Sequence, residues 1–192
     1  MAENKSSINT HIPLFILEET TQPKAVCLVE PLGMNRADSA SMAYTWKEEA
    51  GVENVYRIRK LTAVAAGMGI DVLSPDAKMV VCMEEERTEI GVLALGGYSV
   101  HQSFPTDMAA ITTGIKEMLA GLAPEISADI FRDGIKVSCP PATAVLLQRE
   151  LSKCLDHGVT VTGTTTSLNE LIDNGAQQLL AEYDKFPFLV NC

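Results

Sequence analysis

Ile90-Gly91-Val92-Leu93-Ala94-Leu95-Gly96-Gly97 is an uncharged apolar run closed by paired glycines. Such a run suits a strand covered on both faces, with a sharp exit. After a loop expected over residues 98–105, Met108, Ile111, Ile115, Met118, Leu119 and Leu122 recur at helical spacing as one apolar stripe. Thr106 is available to cap this helix and Gly121 to end it. A covered strand feeding an amphipathic helix points to an α/β protein.

Upstream, Lys78 to Met83 is a second apolar run, and Glu84-Glu85-Glu86-Arg87 is a charged bend between the two, which predicts an antiparallel hairpin with a solvated turn. Residues 60–76 read as a loop-rich excursion. Leu61 to Ala66 can form one or two helical turns, and Gly67, Gly69 and Pro75 break anything longer. Further back, Lys24 to Glu30 predicts a strand. Arg36 to Ala50 predicts a helix with Ala40, Ala43, Trp46 and Ala50 on one face and Gly51 as its terminator, and Val52 to Ile58 predicts another strand. Together these make a βαβ unit. Trp46 is expected to pack in a core or interface.

Downstream, Ala123 to Asp133 has weak periodicity and ends at Gly134, which suits a boundary between lobes. Ile135 to Cys139 then reads as a strand closed by Pro140-Pro141. A helix follows from about Ala142 to His157, and Val159 to Thr162 alternates as a strand. Ser167 and Glu170 form a capping box before a last helix interrupted at Gly175, and the apolar tail from Phe186 to Cys192 should dock. Residues 24–60 and 135–166 echo one another in pattern: strand, proline-containing turn, helix, glycine, strand. The expected architecture is an α/β (α+β sandwich) fold with two pseudo-repeated lobes, each a small mixed sheet with helices packed on it. Residues 1–20 form a flexible arm, 21–123 the first lobe and 124–192 a second, smaller one.

Bulk composition narrows the function. With 46% hydrophobic residues over 192 positions the chain can build a sizeable core. A net charge of -10 opposes nucleic-acid binding, which needs a cationic surface. The cluster Arg57, Arg59 and Lys60 is too small to change that, and reads as a subunit contact or an anion site. Five cysteines without a CxxC pair or metal-ligand spacing to a histidine suggest reduced thiols in a cytoplasmic protein. No run approaches the roughly 20 apolar residues of a membrane span. No metal or cofactor motif is present.

Candidate sites are few. Cys139 ends a strand just before a helix, where the helix dipole favours a thiolate, but it needs a base such as His101 or His157 within reach. His101 falls in a polar loop with Ser99, Gln102, Ser103 and Asp107 after the central strand, where α/β proteins often hold ligands. His157 reads as a cation at a helix C-terminus. Thr164, Thr165, Thr166 and Ser167 precede a helix and offer hydroxyls and amides to an anion, without the lysine-bearing phosphate-loop pattern.

Ala25 to Glu30, the helix ending Lys47-Glu48-Glu49-Ala50-Gly51-Val52, and Gly91 to Gly97 with the helix after it resemble the strand-helix-strand order of bacterial microcompartment shell domains. Val137-Ser138-Cys139-Pro140-Pro141 and the segment from Lys153 to Val161 look like the opening of a second copy, as in tandem-domain shell proteins of the ethanolamine-utilisation type. That resemblance implies a flat homo-oligomer, a trimer or hexamer, in a bacterial microcompartment, with no catalytic residue. Leu61, Thr62, Ala66, Gly67 and Gly69 would line a central pore for a small metabolite. The alternative from the residues is a small-molecule enzyme or sensor with a cleft between two lobes, using His101, Cys139 and the Thr164 to Ser167 turn.

Overall fold

The computed structural model describes residues 14–16, 25–52, 54–181 and 190–191. Two mixed sheets organise them. The first has the order β1 (Leu14–Ile16), β2 (Ala25–Glu30), β3 (Asn54–Arg59), β9 (Val190–Asn191). The second has the order β6 (Gly97–Pro105), β5 (Arg87–Ala94), β4 (Lys78–Met83), β7 (Ile135–Val137), β8 (Val161–Thr162). Helices α1 (Arg36–Ala50), α2 (Lys60–Gly67), α3 (Met108–Gly121), α4 (Pro124–Asp133), α5 (Pro141–Leu151) and α6 (Leu168–Ala181) cover their faces. The chain is an α/β protein, as the sequence patterns indicate.

Strand alternation sorts these elements into layers. Val26, Leu28 and Val55 turn outward to Ala43 and Val52 beside α1, while Cys27, Val29, Tyr56 and Ile58 turn inward to α2 and α6. Val80, Cys82 and Leu93 of the second sheet meet the same two helices from the other side. Met79, Val81, Ile90 and Val92 point away, to Ile111, Ile115, Ile130 and Leu147 of α3, α4 and α5. The layers run α1, first sheet, α2 with α6, second sheet, and α3 to α5.

Both expected strand-helix-strand units are present with parallel strands, β2 with β3 and β7 with β8, which is the physical content of the echo between residues 24–60 and 135–166. β4 and β5 form the antiparallel hairpin. Gly51 ends α1 with φ 66°, its N–H donating to Trp46 O. The capping box at α6 forms: Ser167 N–H donates to Glu170 Oε2 at 3.0 Å, and Glu170 N–H to Ser167 Oγ at 3.3 Å.

Several expectations are corrected. Residues 98–105 are strand, not loop: β6 pairs antiparallel with β5 through a turn at Leu95 and Gly96, both at positive φ (52° and 75°). A leucine in that turn position conceals the hairpin, since such turns normally announce themselves with Asn, Asp or Gly. The cap of α3 is Asp107 rather than Thr106, its carboxylate accepting from the N–H groups of Ala109 and Ala110. Gly175 does not interrupt α6. The division expected between residues 123 and 124 cuts through the second sheet, because β7 pairs with β4. α4 is also tied to β4: Ala77 N–H donates to Asp129 Oδ2 at 3.0 Å, and Lys78 is ion-paired with Asp133. Within the expected arm, 14–16 pair antiparallel with β2; the rest of 1–20, like most of the tail 186–192, lies outside the described residues, and Val190–Asn191 pairs with β3. Among the described residues no helix is long and apolar enough to cross a membrane.

Candidate functional site

Strands β2 and β3 run in parallel and end side by side at Glu30 and Arg59. Carboxyl ends of parallel strands are where an α/β sheet leaves a crevice, because the chain must turn away into helices there. β2 turns through Pro31 to Asn35 into α1, whose first turn is capped by the Asn35 side chain accepting from Asp38 N–H at 2.8 Å. β3 passes directly into α2. The opposite wall comes from Gly96, Gly97, Tyr98 and His101 on the edge of the second sheet. The cleft between these walls has a volume of about 560 Å³ and is open to solvent.

Three arginines border it, Arg36 from α1 and Arg57 and Arg59 from β3. Arg57 Nη1 donates to Ser39 Oγ at 2.9 Å and lies 3.7 Å from Glu30 Oε1, and Ser39 Oγ itself donates to Glu30. The Arg57 Nε is buried with no hydrogen-bond partner. Arg59 sits over the Tyr98 ring at 5.0 Å, a cation–π contact that holds it against the wall. Tyr98 OH and Thr62 Oγ1 are 2.5 Å apart, and burial pushes the Tyr98 phenol up to about 12.

Beside the cleft lies a buried charged cluster. Lys60 Nζ, with its side chain 10% exposed, is 2.7 Å from Glu84 Oε1 and 2.7 Å from Glu89 Oε1, which also accepts from Leu32 N–H at 3.3 Å. His101 stacks on Tyr98 with ring centroids 4.7 Å apart, and its Nε2 faces Glu89 Oε2 at 3.7 Å. That separation is too long for a hydrogen bond, and both atoms are buried without a partner. Burial pushes the Glu89 carboxyl up, but the facing imidazole, the Lys60 ammonium and the Leu32 N–H outweigh it and leave the group below its ordinary range. Burial likewise works against the Lys60 ammonium, and its two carboxylate partners reverse that, so its pKa is raised.

The candidates read from sequence are scattered through the fold. His101 joins the cleft from a strand rather than a loop. Cys139 lies in the core beneath α3, α4 and α5, on the far face of the second sheet. Three strand spacings, about 14 Å, separate its strand β7 from β6 and His101. Burial raises the Cys139 thiol, and no hydrogen bond among the described residues engages it. His157 packs edge-on against Phe131 at 6.2 Å. In the Thr164 to Ser167 turn the amides are used internally: Thr164 N–H donates to Cys139 O at 2.8 Å, Thr166 N–H to Thr164 Oγ1 at 3.1 Å, and Ser167 N–H belongs to the capping box. Thr165 is exposed.

Leu61, Thr62 and Ala66 are buried in α2, Gly67 rests on the Leu171 backbone, and only Gly69 is exposed. They form part of the layer between the two sheets. The bend read as solvated is so at Glu85 and Glu86, while Glu84 turns in to Lys60. Sequence reasoning passed over Arg36, Tyr98 and Glu89. A carboxylate directly abutting the apolar run Ile90 to Ala94, and buried with it, was the available signal for Glu89.

No protein-family model matches the chain, and no curated protein sequence does. Among solved structures, MreB5 of Spiroplasma citri bound to AMPPNP aligns with a TM-score of 0.69 and 16% identity, covering 83% of this chain and 68% of that one. The same protein bound to ADP gives 0.69 and 16%, over 84% and 70%. A non-polymerising mutant of MamK bound to AMPPNP gives 0.59 and 12%, over 81% and 68%. At these identities the likeness establishes the fold. It overturns the resemblance to microcompartment shell proteins and the shell function read from it, and leaves the microcompartment location without support. The echoed strand-helix-strand units that carried that resemblance belong to the two sheets of an actin-like fold.

Proposed function

We propose that this chain is a ligand-binding module of actin-like fold whose cleft takes the phosphate end of a nucleotide, as a binding event rather than a turnover site. One observation carries the reading: Arg36, Arg57 and Arg59 converge on a single cleft at the N-terminus of α1, in a chain whose net charge is -10. Guanidinium groups match phosphate oxygens in charge and in bidentate geometry, and a helix N-terminus adds its own positive potential. The three similar structures were solved with AMPPNP or ADP, which makes adenine nucleotides the first class to test. Turnover is disfavoured because Glu30, which lines the cleft, and Glu89, beside it, are engaged by Arg57 and Lys60 and neither is free to act as a base.

The test is calorimetric titration of the purified chain with ADP and with AMPPNP. Saturable binding that Arg57→Gln weakens supports the reading. Absence of heat with both nucleotides, from a sample whose thermal unfolding is cooperative, sinks it.

A second reading, self-association, is favoured by Val145 and Leu146, which α5 leaves exposed beside the groove between α3 and α5. Sedimentation velocity across a concentration series, with and without ADP, tests it. A single monomeric species throughout would exclude it.

A further inference from the structure

We infer that the cleft binds its phosphate ligand free of divalent metal, with arginine side chains doing the charge neutralisation that a magnesium ion performs elsewhere. The inference rests on the phosphate-binding reading above and specifies the form of the ligand.

Magnesium is held in phosphate sites by one or two carboxylates together with phosphate oxygens and water. The glutamates near this cleft already have cations of their own, and Asp38 of the first turn of α1 is hydrogen-bonded to the Asn35 cap. Glu30 accepts from Ser39 and faces Arg57 at 3.7 Å. Glu89 has one oxygen on Lys60 at 2.7 Å and on the Leu32 N–H, and its other oxygen faces His101. Glu84 is drawn to the same Lys60. A divalent ion reaching any of them would stand within a few ångströms of a fixed ammonium or guanidinium. Among the described residues no three His, Cys, Asp or Glu side chains come together as a metal site.

The donors for a bare phosphate are in place. Arg57 lines the cleft with its guanidinium oriented by Ser39 and Glu30. Arg59 is fixed over Tyr98, and Arg36 opens α1 beside the Asn35 cap. His101, with its side chain 9% exposed, borders the cleft, but its Nε2 turns to Glu89 Oε2 at 3.7 Å, so the arginines are the donors left to a ligand. Guanidinium groups that gather on one cavity mark what the cavity is shaped to receive.

The experiment is titration of the full chain with ADP and with inorganic pyrophosphate, each in EDTA and in excess magnesium chloride. The expected result is binding in EDTA as tight as in magnesium or tighter, because magnesium withdraws the free anion. Arg36→Gln, an exposed helix-start change that leaves the core intact, and Arg57→Gln should each weaken binding in EDTA, by roughly ten- to hundredfold for the loss of a charge-assisted hydrogen bond. Binding that appears only with magnesium overturns the inference and leaves the phosphate-binding reading standing. No binding in either buffer overturns that reading and this inference with it. Binding in EDTA that both arginine variants retain in full overturns the assignment to these side chains.

Discussion

Gly175 of α6 lies flat against the backbone of Ala63 in α2: a Cβ at Gly175 would fall 1.9 Å from the Ala63 carbonyl oxygen. The contact is reciprocated one turn away, where a Cβ at Gly67 would fall 1.9 Å from the Leu171 carbonyl oxygen. Neither obstacle is a side chain that can swing aside, so relief requires the helices to separate. These two helices fill the layer between the sheets. Gly175→Ala and Gly67→Ala are therefore expected to destabilise the fold by about 3 kcal/mol each, the upper end for an overpacked core. Gly121→Ala, at the end of α3 with open space around it, is the control and should be neutral or stabilising by about 0.5–1 kcal/mol. Urea unfolding midpoints decide it; a Gly175→Ala midpoint equal to wild type would mean the helices do not cross this closely.

Lys60 sits between two carboxylates in the interior, and its removal exposes the cost of burying them. Lys60→Met should destabilise by about 3–5 kcal/mol, because Glu89 is left buried without its cation. Adding Glu89→Gln should restore part of that loss, and a double-mutant cycle in urea measures the coupling. If the two changes prove additive, the pair is not coupled in solution.

Acid stability follows from the same cluster. Glu89 lies below its ordinary range in the folded chain, so its contribution is present above the unfolded carboxylate value of about 4.3 and is lost as pH falls through the lower folded value. Lys60 is raised, so its contribution holds below about 10.4 and is lost only as pH climbs through the higher folded value. Wild type should lose stability on acidification below about pH 4.5. In Lys60→Met the ammonium that helps outweigh burial at Glu89 is gone, so acidification should narrow the gap between variant and wild type. Thermal melts from pH 3 to pH 7 would show it, and a gap constant with pH would contradict it.

How much of this was legible in the sequence depends on the range of the interaction. β2, α1 and β3 were readable because apolar alternation, a proline turn and a terminating glycine all act locally; β7 and β8 were readable by alternation too, but the helix between them, expected to run to His157 and end at Gly158, stops at Leu151 with Ser152 as its cap. β6 was hidden because an edge strand needs no apolar run and its hairpin turn uses Leu95 at positive φ. The glycines at 67 and 175 were read as breakers, whereas each lets one helix approach another more than a hundred residues away in sequence. At the site, Arg57, Arg59 and Lys60 were visible as a basic cluster. Their partners Glu84, Glu89, Tyr98 and His101 arrive through sheet order, which local pattern does not encode, and the same order keeps Cys139 from His101.

The cysteines supply a direct test of the layering. Burial pushes the thiols of Cys27 and Cys82 up to about 12, and both face the layer of α2 and α6 between the sheets. Cys139 is raised by burial as well, whereas Cys154 is half-buried at the groove between α3 and α5. Only the thiolate alkylates, so at pH 8 a thiol near 12 presents roughly a thousandfold less reactive form than an ordinary one. Iodoacetamide on the native chain should therefore modify Cys154 first among the described cysteines, with Cys139 slower and Cys27 and Cys82 modified only when the layers open. Peptide-resolved mass spectrometry separates these from Cys192, which lies outside the described residues. In urea the Cys27 and Cys82 rates should rise together, tracking global unfolding. Early modification of Cys139 would instead reveal an activated thiol beneath α5, and early modification of Cys27 or Cys82 would mean that the two sheets do not close on α2 and α6 as described.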